Sequence, residues 1–194
     1  MSGAATPQPE NAARAARLEM RAGRWTGPTQ WRVPGHVQCN LVVLPRAEAF
    51  DFLVYCQRNP KACPVIDITD VGDPEPRHAA PGADLRTDLP KYAIYRDGKR
   101  EEDVTDITTQ WQRDSVAFLI GSSLTFDYAL ERAGIPRSPE VWVLNTTVPT
   151  RSAGPFAGPL VVTMRWMTPE QAITATQLTA RFPANHGAPV HIGD

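Results

Sequence analysis

The stretch from residue 37 to 68 limits the fold more than any other. Residues 37–44, VQCNLVVL, mix β-branched and apolar positions and run into Pro45. Residues 47–57, AEAFDFLVYCQ, repeat apolar positions at helical spacing and stop before Asn59-Pro60, and residues 65–68, VIDI, return to strand chemistry. A strand, a helix and a strand in that order pack as a crossover on a sheet. The chain is therefore expected to be α/β: a mixed β-sheet flanked by helices, with a smaller α+β lobe around residues 70–115.

The remaining segments fill in that frame. Residues 1–10 are expected to be a disordered leader and 11–194 a single domain, a length that buries a sizeable core. A helix over 11–22 ends at Gly23, and another over 169–179 starts with Thr168 as cap and Pro169 at its first position. Asp97-Gly98 reads as the turn of a hairpin. Residues 116–120 form a strand that ends in Gly121-Ser122-Ser123 before a helix over 126–133. Residues 160–162, Leu-Val-Val after the Gly158-Pro159 turn signal, are expected to be the buried central strand, fed by a polar loop that begins at Asn145. The 19 prolines predict rigid connections, and the proline-rich span 70–90 is long enough to be a functional loop.

Composition excludes several partners. Twenty basic residues against twenty-one acidic ones leave a net charge of -1, which favours neither nucleic acid nor an anionic membrane. The N-terminus has no apolar signal segment and no run approaches a membrane span. Cys39, Cys56 and Cys63 cannot all pair within the chain, so a reduced, cytoplasmic protein is expected. A sheet edge left uncovered would favour a homodimer.

Candidate chemistry gathers at loop ends. Arg86, Arg151 and Arg165 have the planar fork that holds a carboxylate with two hydrogen bonds. Ser122 and Ser123, with the Gly121 loop, present hydroxyl and amide donors for an oxyanion or carboxylate; the alternative is that Ser123 or Thr125 only caps the following helix. Asp88, Asp127, His186 and His191 are candidate acids and bases, with His191 preferred because the apolar Val190 and Ile192 promise burial. A histidine in this tail also has a purely structural reading, bonding a carbonyl to keep the tail docked. Gln38 and Asn40 alternate on one strand and would read a substrate amide or carboxylate, although a strand amide that satisfies a neighbouring loop is the commoner case. His186, His191 and Asp194 lack the helical spacing of zinc hydrolase motifs, so no metal is expected. The Gly121–Ser123 turn, Arg151, Arg165 and the 84–88 loop are expected to converge on one cleft.

The ordered segments GHVQCNLVVLP, DFLVYCQRNPKACPVID, GDPEP, ADLRTDLPKYAIYRDG, VAFLIGSSLTFDYAL, RSAGPFAGPLVVTMR and RFPANHGAPVHIGD resemble the motifs of the hydro-lyase family that includes mitochondrial D-glutamate cyclase. The resemblance runs from about Arg17 onward. It implies an α/β fold and a lyase that removes water from a small amino or hydroxy carboxylic acid; for the cyclase, that is closure of D-glutamate to 5-oxo-D-proline. It implies no cofactor. The alternative is a non-catalytic module that binds or senses a small carboxylate.

The chain also departs from that pattern. Members usually continue past the His-Ile-Gly-Asp block with further strands and a terminal Gly-Val-Thr-Pro-Gln motif, so a C-terminally shortened member is expected. Cys39 stands where the family usually has Ala, and Ser122 and Thr150 where it usually has Cys. Residues 31–36 differ from the usual Ala-Gly-x-Ala-Pro-Gly-Tyr run, a change that would reshape a substrate pocket.

Overall fold

The computed structural model describes residues 9–136 and 142–193. Helix α1 (Pro9–Arg21) is followed by β1 (Cys39–Pro45), α2 (Arg46–Arg58) and β2 (Val65–Ile68). Next come the hairpin β3 (Tyr92–Arg96) and β4 (Lys99–Val104), then β5 (Ser115–Gly121), a 3-10 turn over Ser123–Phe126 and the short α3 (Asp127–Arg132). A second hairpin, β6 (Trp142–Pro149) and β7 (Pro159–Met164), leads to α4 (Pro169–Thr179) and a last 3-10 turn over Pro183–Asn185. The α/β class is as expected. Helix α1 starts two residues inside the expected leader, the rest of which lies outside the described residues.

Strand β5 is the centre. It lies between β1 and β2 and pairs antiparallel with both, so the crossover strands run parallel to each other with β5 inserted between them. All seven of its residues are buried. Alternation along the strand divides them between two faces. Val116, Phe118 and Ile120 meet Ala49, Phe52 and Cys56 of α2, while Ala117 and Leu119 meet Leu85, with Leu41, Val43 and Trp111 packed around them. Phe52 stands edge-on to Phe118 with ring centroids 4.9 Å apart, and on its other side meets Phe156 at 5.1 Å. Phe156 thus pins the 150–158 loop to the core.

This placement corrects the expectation that residues 160–162 form the buried central strand. In β7, half-buried and exposed residues alternate, Val161 is 53% exposed, and the strand pairs with β6 alone. The supposed polar loop from Asn145 is part of β6 itself, whose Trp142, Val143 and Leu144 are also exposed. A three-residue apolar run does not reveal whether both of its faces are covered.

Local chemistry explains the remaining boundaries. Asp97 and Gly98 both take positive φ, 50° and 73°, which is the backbone that closes a two-residue hairpin between right-twisted strands. In α4 the Thr168 hydroxyl accepts from the Gln171 amide while the Gln171 side chain accepts from the Thr168 amide, a complete capping box. Thr168→Ala is expected to lower the unfolding free energy by about 1 kcal/mol, read as a shifted urea midpoint with an unchanged slope.

Candidate functional site

The crossover carries chemistry to one end of the sheet. There β1 begins, β5 ends and β2 begins, with Cys39 opposite Gly121. Helix α2 must also finish there, because β2 starts seven residues after it. At that end the tail comes back onto the sheet. An added Cβ on Gly121 would stand 1.9 Å from the Ala184 carbonyl oxygen and 2.9 Å from the Asn185 side-chain nitrogen, so only glycine admits so close an approach. Asn185 is buried and donates to the Thr125 hydroxyl at 3.0 Å.

The turn after α2 holds two further segments. The Asn59 side chain accepts from the Arg151 amide and donates to the Arg151 carbonyl, both at 2.8 Å. Arg58 donates to the Ser152 carbonyl, and Tyr55 donates to the Thr150 hydroxyl at 3.0 Å. Lys61 Nζ donates to the carbonyls of His186 at 3.1 Å and Ala188 at 2.5 Å, while His186 Nδ1 lies 2.9 Å from the Lys61 carbonyl oxygen. His186 takes a left-handed backbone, φ 76°, a conformation that costs a residue with a side chain about 1–2 kcal/mol.

A second polar group lies beyond the β5 end. Asp127, whose side chain is 2% exposed, accepts from Arg165 at 2.5 Å and from the Gln30 amide. Among the described residues, Arg165 uses one Nη in this contact, and its Nε and other Nη carry no hydrogen bond. Gln38 connects the neighbouring loops. Its side chain accepts from Thr29 at 2.7 Å, its amide donates to the Thr125 hydroxyl at 2.8 Å, and its carbonyl accepts from the Ser122 amide at 2.9 Å.

The structure divides the expected cleft. Ser122, His186 and the Arg151 loop gather at the sheet end, and Asp127 with Arg165 forms the adjoining pair. The 84–88 loop is committed elsewhere. Asp88 is buried and takes a two-bond clasp from Arg21 of α1, at 2.5 and 2.8 Å, and it also accepts from the Asp84 amide. Arg86 forks onto Asp84 and holds that carboxyl below its ordinary range. Of the three arginines offered to a substrate, Arg86 is thus spent inside its own loop, and Asp88 is held by Arg21 instead.

Other expectations change as well. The backbone donors of the Gly121–Ser123 turn are largely spent within the chain: Gly121 on Pro64, Ser122 on Gln38, Thr125 on Ser122, and Leu124 on the Ser122 hydroxyl. The cap is Ser122 rather than Ser123 or Thr125, which leaves the half-buried Ser123 as the remaining hydroxyl candidate of the turn. Gln38 is consumed in loop contacts, whereas Asn40 is exposed on the α2 face. His191 is exposed, and its neighbours Val190 and Ile192 are 51% and 58% exposed, so burial gives it no preference over His186. Asp194 lies outside the described residues. Burial pushes the Cys39 thiol up to about 11, which leaves it a poor nucleophile near neutrality. Thr150 accepts from Tyr55 and donates to the Gly158 carbonyl, a loop-closing role. Sequence reasoning passed over Gln30, Asn59, Lys61 and Asn185, and also His36, whose Nδ1 is buried without a hydrogen-bond partner among the described residues. Their roles depend on contacts between distant segments, which no local pattern announces.

Comparison with known proteins adds a lineage to this geometry. The family described as D-glutamate cyclase matches residues 116–194, a stretch that takes in nearly all of β5 and the docked tail. A Stutzerimonas stutzeri protein named "Putative hydro-lyase" is 49% identical over 185 residues, covering 93% of this chain and 70% of that relative. The chain belongs to the hydro-lyase family. Similarly named relatives from Geobacillus kaustophilus and Bordetella petrii are 50% identical over 184 residues and 48% over 194, and the chain spans 70% and 73% of their lengths. No helix among the described residues of this hydro-lyase family member is long and apolar enough to cross a membrane.

Proposed function

We propose that the protein eliminates water from a small amino or hydroxy carboxylic acid, with cyclisation of D-glutamate to 5-oxo-D-proline as the reaction its residues fit best. The supporting observation is the docking of the 183–188 segment on Gly121 and Lys61. That docking seats His186 by one ring nitrogen at the end of β5 and leaves Nε2 without a hydrogen bond among the described residues.

Cyclisation sets a clear list of needs. The ammonium nitrogen of glutamate must lose two protons, attack the distal carboxyl carbon and expel one oxygen, which collects both protons and leaves as water. His186 Nε2 takes the two protons from the nitrogen one after the other, before and after attack, and delivers each to the departing oxygen, so one side chain serves as base and then acid in both transfers. Arg151, whose backbone is fixed by Asn59 while its side chain is exposed, holds the α-carboxylate with its fork. The unengaged edge of Arg165 and the Ser123 hydroxyl receive the charge that grows on the distal carboxyl oxygen. Asp127 keeps Arg165 in place from behind.

Turnover of D-glutamate and related dicarboxylates to lactam or dehydrated product, followed by chromatography, tests the reading directly. Arg151→Lys keeps the charge and removes the fork, so KM is expected to rise several-fold with the melting temperature unchanged. An unaltered KM would remove Arg151 as the holder. Saturable binding with no product from any substrate would instead establish a carboxylate-binding module.

A further inference from the structure

We infer that Lys61 is a positioning residue: its backbone carbonyl and side-chain ammonium together fix the tautomer of the His186 ring and present Nε2 as the proton acceptor. This rests on the role given to His186 above and extends it to a residue that touches no substrate. A carbonyl oxygen has lone pairs and no hydrogen, so the 2.9 Å contact between Lys61 O and His186 Nδ1 requires the hydrogen to be on Nδ1. In a neutral imidazole the other nitrogen is then bare. The ring could not adopt the opposite tautomer without setting two lone pairs against each other.

The carbonyl is well placed for this work because the turn that carries it is closed on both sides. Ala62 and Cys63 donate their amides to the Asn59 carbonyl, at 3.0 and 2.9 Å, and Asn59 donates its own amide back to α2. The ammonium completes the arrangement from the other direction. By gripping the carbonyls of His186 and Ala188, it holds the left-handed backbone at residue 186 against relaxation, and so keeps the ring over the Lys61 carbonyl. One residue thereby sets both the backbone and the ring of another that is 125 positions away in the chain. A surface lysine serving solubility alone would need neither carbonyl.

Nitrogen-15 spectra of the imidazole rings in the full chain, recorded at a pH where the rings are neutral and assigned with His186→Asn, read the tautomer without any assay of activity. The expected result is an Nδ1–H ring at His186. Lys61→Met is expected to shift that ring toward the Nε2–H form and lower kcat at least tenfold with KM little changed, and Lys61→Arg to restore both in part. A structural role alone would move the melting temperature but not the tautomer. An Nε2–H ring in the unaltered chain, or a ring indifferent to Lys61→Met, overturns the inference whatever the activity. An Nδ1–H ring that Lys61→Met releases, in a protein whose turnover survives His186→Gln, upholds the positioning role and overturns the base assignment instead.

Discussion

Arg165→Met is expected to lower the unfolding free energy by about 3 kcal/mol, because it leaves the buried Asp127 carboxylate with the Gln30 amide as its only side-chain partner among the described residues. The figure belongs at the lower end of the range for broken buried pairs, since the Arg165 side chain is 17% exposed and water reaches part of the site. The double variant Arg165→Met/Asp127→Leu is expected to recover most of that loss, because it removes the stranded charge together with its partner. Urea unfolding of the two single variants and the double variant yields the coupling energy. A loss below about 1 kcal/mol in Arg165→Met would mean that the pair behaves like a surface contact. In substrate assays both variants are expected to lose the site that receives charge on the distal carboxyl, so stability and turnover should separate in the double variant, with stability returning and activity not.

Gly121→Ala tests the docked tail. Its new methyl would collide with the Ala184 carbonyl, a backbone atom that cannot turn aside. The chain must therefore either distort β5 or release the 183–188 segment. Distortion of a packed core costs about 1–3 kcal/mol. Release would free His186 from Lys61 and is expected to reduce turnover by about a hundredfold, the scale on which a lost general base is felt. Hydrogen exchange across residues 180–193 distinguishes the two. Faster exchange confined to the tail marks release, and a wild-type exchange pattern with full turnover would show that the close approach is not maintained in solution.

Much of the fold can be read from local patterns, and the reason is visible in particular residues. The crossover helix and strand, the Asp97-Gly98 turn and the Thr168-capped helix each owe their existence to chemistry within a few positions, so their signals sit in the sequence beside them. Sequence alone does not single out β5 as the central strand, because β5 and β7 offer similar apolar runs. What separates them is cover from Phe52 and Leu85, which arrive from distant segments. The candidate site follows the same rule. Its residue types are legible: Asp127 and Arg165 are candidates by chemistry alone, whereas the apolar neighbours of His191 draw preference away from His186, and only the docked tail reverses that order. Which cation meets which carboxylate is decided by α1 reaching Asp88 and by Arg86 folding back on Asp84. Neither pairing leaves a trace in spacing.

The insertion of β5 between β1 and β2 also bears on how the protein comes into being. During synthesis β1, α2 and β2 leave the ribosome first, yet the two strands share no hydrogen bonds and wait for the partner that will lie between them. At ordinary elongation rates the residues from the end of β1 to the end of β5 take on the order of ten seconds to appear. Through that interval the nascent chain exposes two unpaired strand edges and the apolar face of α2. Association with other nascent chains is open to it for that whole period. Cooperative structure arrives late and all at once, when Val116, Phe118 and Ile120 slide into place, and protection by holdase chaperones is expected to matter most before residue 121 emerges.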